Sequence, residues 1–395
     1  MNIVFVHDHE VNPSKGGMQR VSWLLAGELR RRGHSVSFLS LADAPEPFAR
    51  QGEFLQLTIP ILSLSREEAR RRLAEFTTRS GIDLVVLQHM SEANLMAMRL
   101  LPEGVRSVMV YHMQPFSLLG KERKVKSLPS ATPLRLKGKV LRMLGIVAPA
   151  LFRVLYRRQI AASFREVTLH TERLVMLSER FLPRLFANTP GLDPDRVVAV
   201  NNPLTFEAPH EAPDLGTKRN VVLQMCRAIN PQKNLTGFVD AWGIFHRSHP
   251  DWEAVLVGDG VDLELVKRYA RRRGVSGIRF EGNREDVERY YREAKIFCLT
   301  STFEGWGMVL VEAMAFGCVP VAFDSYEALR DIVADGENGL IVPPFSAAAM
   351  AAAMGRLADN PDLWRRMALQ GPTSIRRFGI RDVVDEWEDK ILNRL

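Results

Sequence analysis

Residues 1–39, MNIVFVHDHEVNPSKGGMQRVSWLLAGELRRRGHSVSFL, decide the fold class. Ile3 to Val6 is an unbroken apolar run of the kind that forms a strand covered on both faces. Gly16 and Gly17 then precede a stretch in which Val21, Leu24, Leu25 and Leu29 recur on one helical face, and Gly33 stops it. Ser35 to Leu39 reads as the next strand. Strand, helix and strand in this rhythm predict a parallel sheet covered by helices.

The rhythm continues outward. Apolar runs at Asp83–Leu87, Val105–Val110, Leu174–Leu177 and Val197–Val200 predict further strands of one doubly wound domain. A polar, proline-rich passage from Asn201 to Lys218, with Pro203, Pro209 and Pro213, reads as a linker. The pattern then restarts with strands expected at Val221–Met225, Ala254–Val257, Gly277–Phe280, Ile296–Leu299 and Val319–Phe323. The expected architecture is α/β: two Rossmann-like, doubly wound domains, 1–203 and 204–379, whose C-terminal strand ends face each other across a cleft. The amphipathic segment 380–395 is expected to cross back to the first domain.

Length and composition agree with two globular domains: 395 residues, 46% hydrophobic and 25% charged. No apolar run is long enough to span a bilayer, and Met1 leads directly into a strand, so neither a spanning helix nor a signal peptide is expected. Cys226, Cys298 and Cys318 stand far apart in apolar segments and read as buried, reduced thiols of a cytoplasmic protein. The net charge of +7 is concentrated: from Lys121 to Arg165 there are twelve Lys or Arg against the single acid Glu122. Lys121, Arg123, Lys124, Lys126, Arg135, Lys137, Lys139 and Arg142 stand beside an apolar stripe of Leu141, Met143, Leu144, Ile146, Val147, Leu151 and Phe152. That combination predicts a membrane-surface contact over 121–158.

Chemistry concentrates between the strand at Ile296–Leu299 and a following helix, where Ser301-Thr302-Phe303-Glu304-Gly305-Trp306-Gly307-Met308-Val309-Leu310-Val311-Glu312 sets two carboxylates eight residues apart around a glycine turn. Gly305 and Gly307 allow a ligand close to the main chain, and the N–H groups of Met308, Val309 and Leu310 at the helix start favour an anion. If Glu304 stands in the loop and Glu312 two helical turns on, the carboxylates are roughly 10 Å apart. One is then placed for sugar hydroxyls and the other for a ribose. His112 follows a strand directly and so stands at a C-terminal strand end, where ligands gather.

This segment resembles the E-x7-E signature of glycosyltransferase family 4, retaining enzymes of the GT-B fold. The likeness extends along the chain: Gly16-Gly17 resembles the family's glycine pair after the first strand, and Val197–Pro203 its interdomain N-x-P passage. Cys226-Arg227-Ala228 with Lys233-Asn234 resembles its phosphate-binding G-R…K-N stretch, Cys226 replacing the first glycine. Val257-Gly258-Asp259-Gly260 and Asp335-Gly336-Glu337-Asn338-Gly339 complete the resemblance. It implies that Glu312 binds the donor ribose, Glu304 the transferred hexose, Arg227 and Lys233 the diphosphate, and that His112 approaches the sugar. It also implies a metal-independent reaction without a cofactor. One passage departs from the pattern: Asp324-Ser325-Tyr326-Glu327, where many members carry a glycine pair.

The resulting expectation is transfer of a hexose from a nucleotide-diphosphate sugar, UDP-linked, to a glycan or lipid-linked acceptor. The setting would be cell-surface polysaccharide assembly, such as lipopolysaccharide or capsule, at the inner face of the membrane. Replacing Glu304 or Lys233 by alanine should then abolish transfer and leave the fold intact. A nucleotide-sugar epimerase shares the fold and is the rival. An NAD-dependent oxidoreductase is disfavoured by the missing Gly-x-Gly-x-x-Gly, and a nucleic-acid binding protein, which would use the basic stretch with an affinity that falls steeply with salt, is a further rival, although no nucleic-acid partner is expected. His7, Asp8, His9 and Glu10 alternate imidazole and carboxylate, but no metal site is expected there.

Overall fold

The computed structural model describes residues 1–14, 16–42, 54–132, 136–206 and 212–395, and of Glu122 and residues 136–138 the backbone alone. Seven strands form the first sheet: β1 (Asn2–His7), β2 (Ser35–Ser40), β3 (Leu55–Thr58), β4 (Leu84–Gln88), β5 (Arg106–Tyr111), β6 (Arg173–Met176) and β7 (Val197–Ala199). All pairings are parallel, in the order β3-β2-β1-β4-β5-β6-β7. Six strands form the second: β8 (Arg219–Met225), β9 (Glu253–Val257), β10 (Ile278–Gly282), β11 (Ala294–Leu299), β12 (Val319–Phe323) and β13 (Leu340–Val342). They too are parallel, ordered β10-β9-β8-β11-β12-β13. In each sheet the chain winds outward one way and then the other, so the order reverses between β1 and β4 and between β8 and β11. Such a reversal opens a crevice at the C-terminal strand ends.

The predicted strands appear within one or two residues of the expected places. β3 and β13 were not expected. Both are short edge strands of four and three residues, and β3 carries Leu55 60% exposed, so neither has a long apolar signature.

The chain divides into two compact units, Met1–Pro115 with Arg158–Thr205 and Phe378–Leu395, and Phe116–Arg157 with Phe206–Arg377. In the first, the helix Ile380–Lys390 buries Val383, Val384 and Trp387, with Trp387 against Phe5 at 6.5 Å between ring centres. Arg32 donates to Asp385 at 2.6 Å, Glu388 at 2.7 Å and the Arg381 carbonyl at 2.9 Å. In the second, the helix Leu235–Phe245 lays Phe238, Trp242 and Phe245 into the core beneath the sheet.

Residues 116–157, expected within 1–203, group with the second unit. That segment is bonded into the second unit: Asp262 accepts from the Ser130 hydroxyl at 3.0 Å and from the Ala131 amide, and Asn230 donates to the Pro129 carbonyl at 2.9 Å. The linker reading of 201–218 also ends too late. Pro209 lies outside the described residues, but Lys218 is buried and donates to the carbonyls of Tyr291 at 2.7 Å and Ala294 at 2.9 Å.

Candidate functional site

The second unit gathers its chemistry at the C-terminal ends of β8, β11 and β12. After β8 the chain makes a turn in which Cys226 N donates to the Val257 carbonyl at 3.0 Å and Ala228 N to the Asp259 carbonyl at 2.9 Å. Gly258 and Gly260 make that approach possible. A Cβ on Gly258, at φ 122°, would lie 1.9 Å from the Cys226 carbonyl oxygen, and one on Gly260 would lie 2.7 Å from that of Ala228. The short helix Asn230–Lys233 follows and delivers the Lys233 ammonium.

The loop after β11 is sewn to this turn. The Thr302 amide donates to the Gln232 carbonyl at 2.7 Å, the Thr302 hydroxyl to that of Pro231 at 2.7 Å, and the Thr300 hydroxyl to that of Lys233 at 3.0 Å. These bonds set Glu304 against Lys233. The carboxylate oxygen Oε1 of Glu304 accepts from Lys233 Nζ at 2.6 Å and from the Ser301 hydroxyl at 2.6 Å. Both partners are withdrawn from water, the Lys233 and Glu304 side chains being 16% and 9% exposed. Glu304 is therefore buried and Lys233 partly so, deeper than a freely solvated cleft lining. Ser301 is held in turn by Ser325, whose hydroxyl donates to the Ser301 carbonyl at 2.7 Å.

Gly307, in the left-handed region at φ 98°, caps the helix Met308–Ala315 and turns the chain into it. Of the three amides expected to face an anion, that of Leu310 instead closes the turn on the Gly307 carbonyl at 2.8 Å. Met308 and Val309 remain at the helix start, where intrahelical acceptors are lacking. Gly305 is buried in the loop between Glu304 and Trp306. Glu312, inside the helix and buried, accepts from the Tyr291 hydroxyl at 2.7 Å. The two glutamates thus have separate partners: Glu304 a cation, Glu312 a phenol. Arg227 is exposed in the turn after β8.

In the first unit, Gly16 and Gly17 open the helix Gly17–Arg31 after β1. His112 stands at the end of β5, buried, with Nε2 bonded to the Gln88 side-chain oxygen at the end of β4. Burial above all, then His89 and His7, lowers its pKa to about 3, so the ring is neutral. His7 is lowered to about 3 by burial and shares a 3.0 Å hydrogen bond with Ser22. Asp8 turns the other way, accepting from Asn94 at 2.8 Å and from the Ser91 hydroxyl. His7 and Asp8 therefore do not converge, and among the described residues no cluster of three or more His, Cys, Asp or Glu is arranged to hold a metal ion.

Residues 16–203 match the family described as "Glycosyl transferase 4-like domain" and residues 206–373 that described as "Glycosyl transferases group 1". This chain is a GT-B glycosyltransferase of the family 4 type. The glycosyltransferase is 24% identical to an uncharacterized glycosyltransferase of Haemophilus influenzae, over 95% of its own length and 96% of the relative's. It is 32% identical to the phosphatidyl-myo-inositol mannosyltransferase of Mycobacterium leprae, over 46% of its own length and 49% of that enzyme's. Its fold matches the crystal structure of Anabaena HepE in complex with UDP and glucose, with a TM-score of 0.74, 18% identity and complete coverage of both chains.

Sequence reasoning missed Ser301, Tyr291 and Tyr326. None carries a charge or belongs to a recognisable spacing; only the flagged departure at Asp324–Glu327 drew attention to the third. The basic stretch is also differently employed. Lys121 donates to the Ser325 carbonyl, Lys124 lies over the Phe345 ring at 5.6 Å, Lys126 lies over Phe152 at 5.4 Å, and Arg142 donates to the Lys126 carbonyl at 2.9 Å. Lys121 and Lys124 fasten 116–157 to the rest of its unit, while the contacts of Lys126 and Arg142 lie within that segment. Arg135 lies outside the described residues, as does the side chain of Lys137.

Proposed function

We propose that this glycosyltransferase moves a hexose, with retention of anomeric configuration, from a nucleotide-diphosphate sugar, UDP-linked, to a glycan or lipid-linked acceptor in cell-surface polysaccharide assembly. The observation that carries this reading is the buried Lys233–Glu304 pair at the head of the second sheet. A carboxylate fixed by a lysine and a serine hydroxyl can take sugar hydroxyls, while the ammonium it already holds can turn to a diphosphate without reorganisation. Arg227 adds exposed positive charge at the same turn, Glu312 takes the ribose, Gly16 and Gly17 offer backbone N–H groups to phosphate, and His112 approaches the transferred sugar. The bond from the anomeric carbon to the diphosphate oxygen breaks, the bond to the acceptor oxygen forms on the same face, and the acceptor proton passes to the leaving phosphate. Lys233 supplies the neutralisation that a metal ion would otherwise supply.

The test is a thermal-shift screen of UDP-, GDP- and ADP-sugars, followed by turnover and NMR of the product anomer. A bound donor raises the melting temperature according to its affinity. No stabilisation by any nucleotide sugar, or an inverted product, would overturn the reading.

We further propose that the enzyme works at the inner membrane face. No helix among the described residues is long and apolar enough to cross a membrane. The support is the helical corner formed by Leu136–Val147 and the start of Pro149–His170, where Val140, Met143, Val147, Leu151 and Leu155 are 58%, 59%, 72%, 52% and 48% exposed. With the inward-turned cations committed elsewhere, attachment rests mainly on this apolar face, with Arg153, Arg157 and Arg158 exposed beside it. Val147→Asp with Leu151→Asp should abolish sedimentation with anionic vesicles and leave turnover on a soluble acceptor unchanged; undiminished sedimentation would refute the attachment.

A further inference from the structure

The loop after β12 carries a residue whose chemistry the fold itself does not use. Tyr326 is 3% exposed, yet its hydroxyl has no hydrogen-bond partner among the described residues. Leaving a buried hydroxyl unpaired is destabilising, and phenylalanine would fill the same space without that penalty. The loop that carries Tyr326 is tied down. Its neighbour Ser325 is bonded through its hydroxyl to the Ser301 carbonyl at 2.7 Å and accepts from Lys121 at its own carbonyl, and the Tyr326 carbonyl accepts from Leu329 N at 3.4 Å.

The hydroxyl is aimed at the glycine turn. A Cβ on Gly307 would lie 2.4 Å from the Tyr326 oxygen, so the absence of a side chain at 307 is what makes room for the phenol tip. Burial, then the charges of Glu304 and Asp331, push the phenol well above its ordinary pKa, so it stays a proton donor. Ser301, which positions the Glu304 carboxylate, is the residue to which the Tyr326 loop is tied. A single crook of backbone, Glu304 to Gly307, therefore has a carboxylate acceptor on one side and an unspent O–H donor on the other.

We propose that the Tyr326 hydroxyl is a specificity-determining contact to the transferred sugar, donating to one of its hydroxyl oxygens. A sugar hydroxyl is both acceptor and donor, so it can take the hydrogen of Tyr326 and offer its own to Glu304. A diphosphate oxygen cannot: it only accepts, and has no hydrogen to offer the Glu304 carboxylate. The contact rests on the reading that Glu304 faces the transferred hexose.

The experiment compares wild type with Tyr326→Phe. Affinity is measured by calorimetry for UDP, GDP and ADP and for whichever nucleotide sugar the screen selects, and kcat/KM is measured with that sugar and its single-deoxy analogues. Tyr326→Phe should weaken the nucleotide sugar about tenfold or more, leave the free diphosphate unchanged, and melt no lower than wild type. Wild type should discriminate against one deoxy analogue, and the variant should lose that discrimination at the same position. Equal sugar affinity in both proteins, equal loss of sugar and free diphosphate, or a lower melting temperature with unchanged selectivity would each overturn the contact. Lys233→Ala is run alongside: if it too leaves nucleotide-sugar affinity intact, the donor site is elsewhere and both readings fall.

Discussion

Breaking the Lys233–Glu304 pair should destabilise the second unit as well as stop transfer. At 2.6 Å and an effective dielectric constant of about 20, the attraction is about 6 kcal/mol before desolvation is subtracted. Withdrawing both charges from water offsets much of that, so the net worth of the pair is small. Removing one partner is different, because the other is left buried; such cuts cost about 3–5 kcal/mol. Lys233→Met leaves Glu304 with only the Ser301 hydroxyl, and belongs at about 3 kcal/mol. For a unit of this size that is a fall of roughly 6–12 °C in melting temperature. Glu304→Gln keeps an oxygen for Ser301 and strands Lys233, which is somewhat more exposed, so a smaller loss is expected. The double variant should be less destabilised than the sum of the two by about 2 kcal/mol, read from a double-mutant cycle by circular dichroism. Additivity within about 0.5 kcal/mol would show that the two charges do not depend on each other, and the preorganised site would have to be abandoned. Turnover should fall at least a hundredfold in either single variant.

Acidification should unsettle the first unit through its histidines. His7 and His112 are lowered from 6.5 to about 3 by burial, so below pH 6.5 the unfolded chain binds protons that the folded chain does not; stability is intact above pH 6.5 and lost progressively down to about pH 3. At pH 5 the loss is about 2 kcal/mol for each ring, and His7→Gln should flatten the dependence of melting temperature on pH; an unchanged slope would refute the burial argument. The thiols should be inert while the protein is folded: Cys298 and Cys318 are buried and Cys226, expected buried, is partly so, and desolvation pushes Cys226 up to about 11, Cys318 up to about 12 and Cys298 higher still. Iodoacetamide at pH 8 should label none in native protein and all three in denaturant, and rapid native labelling would contradict this.

The strands of both sheets were legible because a parallel strand buried on both faces must be an apolar run, and β1, β4, β8 and β11 are such runs. Glu304 and Glu312 were legible from spacing around a glycine turn. What was illegible depends on backbone partners or neutral side chains. The allegiance of 116–157 is decided by the Ala131 amide and the Pro129 carbonyl, groups every sequence has. The inward contacts of Lys121 and Lys124 were illegible because a lysine that lies over a ring or donates to a carbonyl has the same letter as one that faces water. The partners of Glu312 and Ser301 come from a separate helix and a separate loop, at separations of 21 and 24 residues, with no local pattern to announce them.

Asp262 explains how a site needing a fixed cation can be built without consuming one. Its carboxylate is fully buried and accepts from the Asn230 amide at 2.7 Å, the Ser130 hydroxyl at 3.0 Å and the Ala131 amide. Every one of these donors is neutral. Amides and hydroxyls can satisfy a buried carboxylate when several converge on it, and here they tie the turn bearing Lys233 to the segment 116–157 at the same time. Had Asp262 been matched by a lysine or arginine, a second charge would sit a few residues from Lys233 and compete for Glu304 and for any anionic ligand. Because the anchoring is done by neutral groups, the Lys233 ammonium is left to a single carboxylate, Glu304, and that bond is the one an arriving diphosphate can share.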